Sequence, residues 1–228
     1  MAHRTAIGLI GCGFFAQNHL HAWNDLKPEG ADLVAVCDIE PSRARAAGEK
    51  FGARWYTDAM EMLDKERLGL VDIATQVSTH LALTEMTLAR RIPTVVQKPF
   101  GRDIAEVRRM VDMGRQAETF LAVHENFRFQ RPLLKVAEII RSGAIGQPNW
   151  ARISFRTGYN IYAGQPYLAK ETRFILTDVG VHVLDVARVL MGEVSHLSAH
   201  LQKRNPAIAG EDTATMLLGH TSGAASVV

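Results

Sequence analysis

The feature that most constrains this chain lies near its start. An apolar run, Thr5–Ile10, enters Gly11-Cys12-Gly13-Phe14-Phe15-Ala16 and leaves as a helix-period segment that reads as far as Asp25. Glycines at the first and third positions of such a turn, with a small residue at the sixth, give a tight strand-to-helix reversal. The backbone can then approach a ligand closely, and Ala16 leaves room for helix–strand packing. The helix that opens there offers unbonded N–H groups and a positive dipole end, which suit phosphate. A second apolar run ends at Cys37-Asp38, about 22 residues past Ala16, near the spacing at which a carboxylate takes ribose hydroxyls. Gly11, Gly13, Phe14, Phe15, Ala16 and Asp38 are therefore read as a dinucleotide site. An acid at position 38 repels a 2′-phosphate, so NAD is expected over NADP, with Arg43 on the next helix as the residue that keeps NADP an alternative. A purely structural turn and the apolar core of a signal peptide are the competing readings of the segment.

The same alternation continues. Strands are expected at Thr5–Ile10, Asp32–Cys37, Arg54–Thr57, Leu70–Ala74, Thr94–Gln97 and Thr119–Val123. Helices are expected at Phe14–Asp25, Pro41–Phe51, Ala59–Lys65, Thr79–Arg91 and Ile104–Gln116. Leu33-Val34-Ala35-Val36 and Val71-Asp72-Ile73-Ala74 are apolar enough to be buried on both faces, as in a parallel sheet sandwiched by helices. Thr75 and His80 flank the carboxyl end of the fourth strand, where cofactors lie in such sheets, although a solvated helix-start histidine reads equally well at 80. After residue 123 the pattern becomes α+β. A helix at Pro132–Arg141 and another at Asp178–Met191 are set among strands at Trp150–Arg156, Glu193–Gln202, Thr213–Leu218 and Ala224–Val228. The expected division is 1–123 and 124–228, with a doubly wound parallel sheet first and a mostly antiparallel sheet second. The last residues read as the inside of a strand, so the sequence is expected to continue beyond them.

Composition excludes several classes. In 228 residues, 26 Lys and Arg face 24 Asp and Glu, and the basic residues occur singly or as pairs such as Arg90-Arg91, with no patch to track nucleic acid. No apolar run reaches the roughly 18 residues of a membrane span. Cys12 and Cys37, the only cysteines, lie in apolar segments and read as buried thiols, without a metal-type spacing. A cytoplasmic protein is the expectation.

Several short segments, taken in order, resemble one family. Gly8-Leu-Ile-Gly-Cys-Gly-Phe-Phe-Ala, Val36-Cys-Asp38, Gln97-Lys98-Pro99-Phe100, Glu125-Asn-Phe-Arg-Phe, Ser142-Gly-Ala-Ile-Gly and Asp178-Val-Gly-Val-His182-Val-Leu-Asp185 look like the Gfo/Idh/MocA oxidoreductases. The resemblance runs the length of the chain. It implies an N-terminal Rossmann domain, a C-terminal domain with an open sheet, and NAD- or NADP-linked oxidation or reduction of sugars, cyclitols and related hydroxyl compounds. Homo-oligomers through the C-terminal sheet are implied as well. Where the family usually has Glu-Lys-Pro, this chain has Gln97-Lys98-Pro99; Gln97 keeps hydrogen-bonding reach to the nicotinamide ribose and loses the charge.

Residue chemistry adds roles. Lys98 ends a strand at its carboxyl edge, so its ammonium can bind a substrate oxygen. Asp178, His182 and Asp185 fall at i, i+4 and i+7, on one helical face, among Val179, Val183, Leu184 and Val186. Such a polar row needs a reason, because unpaired polar groups are costly to bury. His182 can take a hydroxyl proton, with Asp178 or Asp185 orienting its ring or binding neighbouring hydroxyls. A self-satisfied polar cluster is the bland reading, and zinc a third, which the resemblance does not imply. Asn126, Arg128 and Tyr159 are further substrate candidates. Glycoside cleavage by transient oxidation and a non-catalytic NAD(H)-binding regulator are the rival functions.

Overall fold

The computed structural model describes residues 4–228. The chain divides into two compact units, the first ending at His124 and the second spanning Glu125–Val228.

In the first unit, β1 (Thr5–Ile10), β2 (Ala31–Cys37), β3 (Arg54–Tyr56), β4 (Leu70–Ile73), β5 (Thr94–Gln97) and β6 (Leu121–His124) form one parallel sheet in the order β3-β2-β1-β4-β5-β6. Between them run α1 (Ala16–Asp25), α2 (Pro41–Phe51), α3 (Ala59–Lys65), α4 (Val77–Ala89) and α5 (Ile104–Ala117). Alternation along the strands sends neighbouring residues to opposite faces. Leu9, Val36 and Cys12 pack with Ala16 and Leu20 of α1 and Ala47 of α2, whereas Ile10, Val71, Ile73 and Val96 pack with Met62 of α3 and Met110 of α5. Asp58 and Asp103 start α3 and α5 by accepting the N–H of Glu61 and Glu106. The order of strands reverses between β1 and β4, which puts their carboxyl ends at the switch point where such sheets bind ligands. This is the doubly wound sheet expected from the sequence. Helix α1 starts at Ala16 rather than Phe14, and β6 begins two residues and ends one residue later than expected, after α5 closes on a left-handed Glu118, φ 49°.

In the second unit α6 (Arg131–Arg141) precedes β7 (Trp150–Arg152), a short turn of helix α7 (Ile161–Gly164), α8 (Val181–Met191), β8 (Val194–Gln202), β9 (Thr213–His220) and β10 (Ala225–Val227). The sheet order is β7-β10-β9-β8, with β10 parallel to β7 and the other two pairings antiparallel. Ala187 of α8 packs on Met216 and Leu218 of β9. The expected strand at Trp150–Arg156 stops at Arg152: Ile153 N–H still reaches Val227 O at 2.9 Å, and beyond it the chain leaves the ladder. The expected helix from Asp178 begins instead as a wide π-type turn, Leu176–Gly180, that feeds α8. Among the described residues no helix is long and apolar enough to cross a membrane.

Candidate functional site

The glycine turn in the first unit is built around two fixed points. Gly11 has φ +99°, and a Cβ there would lie 2.6 Å from the Ala74 carbonyl oxygen, so only glycine fits between β1 and β4. A Cβ on Gly13 would meet no protein atom within 4 Å, so this backbone is open to an approaching ligand. Phe14 is 67% exposed and Phe15 39%, its ring edge-on to His19 at 5.7 Å. Asp38 is buried at the end of β2. Its Oδ2 accepts the Cys12 N–H at 2.7 Å and its Oδ1 the Glu40 N–H at 2.9 Å. A carboxylate has about four acceptor positions, so two remain for hydroxyls. Arg43 Nη1 lies 3.9 Å from Asp38 Oδ1 and is largely exposed. These residues fit a dinucleotide: a turn only glycine can make, an uncovered second glycine, and an acid with acceptor capacity in hand.

Thr75 is half-buried beside Gly11, its hydroxyl accepting that of Thr79 at 2.8 Å. His80 requires a correction. It is neither a solvated residue nor one that can touch a ligand, because it has no exposed surface. Its Nδ1 lies 3.1 Å from Pro99 O and its Nε2 3.2 Å from Thr75 O, so it staples the loop after β4 to the segment after β5. Burial lowers its pKa. Both cysteines are buried, and burial pushes each thiol up to about 12.

A polar chain runs beneath Lys98. Asp72, on β4, takes His19 Nδ1 at 2.8 Å and the Trp23 indole N–H at 2.8 Å. His19 Nε2 meets the Gln97 side-chain nitrogen at 2.9 Å, and Gln97 Oε1 accepts the Lys98 backbone N–H at 2.6 Å. Asp72, His19 and Gln97 are all buried, and Lys98 is half-buried. Lys98–Pro99 is a cis peptide.

In the second unit the row on α8 is partnered differently from the expectation. His182 is buried, and its Nδ1 lies 2.6 and 2.7 Å from the two oxygens of Glu125, a residue sequence reasoning left without a role. Phe127 stacks flat on the imidazole, 4.2 Å between centroids and 8° between planes, and its N–H binds Glu125 Oε1 at 3.0 Å. Glu125 thus holds the ring, and Asp185 does not orient it: both Asp185 oxygens are taken by Arg128, at 2.5 and 2.8 Å. That pairing raises the Arg128 pKa further. With Nδ1 committed to Glu125, Nε2 is the nitrogen at which His182 can accept a proton. Asp178 sits half-buried in the π-type turn that precedes α8. Asn126 is exposed, its carbonyl closing the turn Phe127–Phe129; Tyr159 is 71% exposed. Among the described residues no cluster of His, Cys, Asp and Glu has the arrangement of a metal site.

The first unit thus carries a switch-point glycine turn with a buried acid at the end of the neighbouring strand, and the second a buried carboxylate–histidine pair. Residues 5–125 match the family model described as the Gfo/Idh/MocA oxidoreductase family, NAD-binding Rossmann fold, and residues 133–228 match its C-terminal domain. The chain belongs to the Gfo/Idh/MocA family. It is 50% identical over 221 residues to D-apiose dehydrogenase of Paraburkholderia graminis, covering 96% of this chain and 58% of that protein. It is 30% identical to myo-inositol 2-dehydrogenase of Thermotoga maritima, covering 97% and 67%. An oxidoreductase of Agrobacterium radiobacter, solved in complex with NAD+, L-tartaric acid and magnesium, superposes with TM-score 0.95 at 46% identity, covering 99% of this chain and 66% of that one. The chain therefore spans about three fifths of the length of the D-apiose dehydrogenase it matches.

Proposed function

We propose that this chain belongs to an NAD-dependent dehydrogenase that oxidises a CH–OH group of a sugar, cyclitol or related polyol, or reduces the corresponding carbonyl. The observation that carries this reading is the buried Glu125–His182 pair, with Nδ1 held and Nε2 left as the basic atom. His182 Nε2 accepts the hydroxyl proton while the carbon gives up its hydrogen with an electron pair and the C–O bond becomes C=O; Glu125 stabilises the imidazolium that results. When bound, the nicotinamide supplies the acceptor for that hydride. The Lys98 ammonium donates to a substrate oxygen. Arg128, fixed by Asp185, together with Asp178, Asp185, Asn126 and Tyr159, binds neighbouring hydroxyls.

Gly11, Gly13, Phe14, Phe15 and Ala16 present backbone to the pyrophosphate, Asp38 takes the adenosine ribose hydroxyls, and Thr75 and Gln97 border the nicotinamide side. His80 supports Thr75 from beneath. The Asp38 carboxylate favours NAD over NADP. In this reading the chain assembles as a homo-oligomer through its second sheet and works in the cytoplasm. The substrates of the relatives make D-apiose the first compound to try and myo-inositol the second.

Calorimetric titration with NAD, NADH, NADP and NADPH, followed by NADH-absorbance assays on both compounds, tests the reading. Tight NAD(H) binding and NADH accumulation are expected, and Lys98→Ala abolishes turnover with nucleotide affinity within about threefold. Preference for NADP(H) overturns the role of Asp38 and promotes Arg43. Sugar release without net NADH replaces dehydrogenation by glycoside cleavage.

A further inference from the structure

The ladder between β5 and β6 ends at Gln97 opposite His124, so Lys98 is the first residue beyond it, and its backbone N–H is held by a side chain instead. That one bond fixes every proton behind it. A backbone N–H can only donate, so the Gln97 atom that takes it is the carbonyl oxygen. The other end of Gln97 is then its NH2 group, which donates to His19 Nε2 at 2.9 Å. A nitrogen that accepts carries no proton, so the single proton of the ring is on Nδ1, where it meets Asp72 at 2.8 Å. The Trp23 N–H completes the same Asp72 oxygen. The groups around the ring are Asp72, Trp23 and Gln97, with His124 tilted against it at 4.4 Å and Phe15 edge-on. The chain joins α1, β4 and β5 and leads to one backbone atom of the lysine assigned to chemistry.

We propose that His19 is a positioning residue for Lys98: as a neutral ring protonated on Nδ1, it holds Gln97 in the one orientation that fixes the Lys98 backbone. This rests on the role given to Lys98 above. Gln97 is what makes the neutral ring possible. A glutamate at 97 would present an acceptor to both Lys98 N–H and His19 Nε2, and the ring would then need a proton on each nitrogen, between two carboxylates.

Two measurements on the full chain need no substrate. In 15N NMR of imidazole-labelled protein, assigned by loss of the signal in His19→Asn, His19 is expected to show one protonated nitrogen, Nδ1, and one unprotonated, Nε2. In Gln97→Glu both nitrogens are expected protonated near neutral pH. By amide exchange, His19→Asn is expected to speed Lys98 at least about tenfold while Val71 and Ala74, bonded to Pro93 O and Ile10 O, stay within about threefold. An imidazolium or an Nε2-protonated ring in the unaltered protein overturns the proposal. So does a uniform acceleration, which is loss of structure alone, or no change at Lys98. If His19→Asn fails to fold, Gln97→Glu decides: a His19 ring that stays singly protonated there overturns it. Where activity is measurable, His19→Asn is expected to lower kcat about 10- to 100-fold with KM little changed. An inactive wild-type chain with the expected NMR and exchange results would count against the proposed function alone.

Discussion

Two buried histidines, one in each unit, begin alike and end differently. His19 and His182 both turn Nδ1 to a buried carboxylate, Asp72 at 2.8 Å and Glu125 at 2.6 Å. In the first unit the second nitrogen is spent on Gln97, and an indole N–H shares the carboxylate. In the second the carboxylate is backed by a backbone N–H and the ring is steadied by stacking on Phe127, which engages the π-face and leaves the chemistry of Nε2 intact. A histidine bonded at both nitrogens joins elements together. One bonded at Nδ1 alone is a base with a fixed aim.

The sharpest way to break this contrast is to remove each ring in turn. His182→Asn is expected to lower kcat by about 10³-fold or more while thermal stability barely changes, because a positioned general base contributes about 10²–10⁴; steady-state rates and a melting curve report both. In the first unit, Asp72→Ala leaves the His19 and Trp23 N–H groups without their acceptor. It is expected to cost about 3 kcal/mol, read from urea denaturation at constant m. If Asp72→Ala leaves stability unaltered, the network beneath Lys98 does not hold the first unit together. Glu125→Gln keeps an acceptor near His182 and removes the charge, and should cost about tenfold in kcat, with Glu125→Ala costing more. His80 supplies a third case, a ring facing carbonyls at both nitrogens. Burial lowers its pKa from 6.5, so the unfolded chain binds the proton first, and its contribution to stability is present above about 6.5 and lost as pH falls through the lower native value. Denaturation midpoints at a series of pH values should fall on acidification, less steeply in His80→Gln. The smallest effect concerns Cys12 and Cys37: with thiols near 12, neither should react with iodoacetamide at pH 8 until urea unfolds the chain.

The first unit was largely readable because its signals are local. The Gly11 turn and the strands buried on both faces each lie within a few residues of what they determine. Glu125 was not, since its partner is 57 residues away and nothing in Glu-Asn-Phe-Arg distinguishes a held carboxylate from loop polarity. The row at 178, 182 and 185 concealed its partners in a similar way: His182 turns to Glu125 rather than to Asp185, and Asp185 faces the Arg128 guanidinium from another segment. The network beneath Lys98 did leave traces, a histidine on the inner face of α1 and an acid inside Leu-Val-Asp-Ile. A buried acid in an apolar strand demands a donor, and that demand was there to be followed. His80 misled because a histidine at a helix start is usually exposed.

The Asp38 carboxylate sets a rule for anyone wishing to retune coenzyme preference. Because it grips the Cys12 amide, it is a strut of the glycine loop as well as the proposed sugar contact. Redesign toward the phosphorylated coenzyme cannot begin by deleting it. A replacement has to keep a side-chain acceptor for Cys12, as asparagine or serine does, and recruit the neighbouring Arg43 for the new phosphate; alanine at this position would disarm the loop before any preference could change.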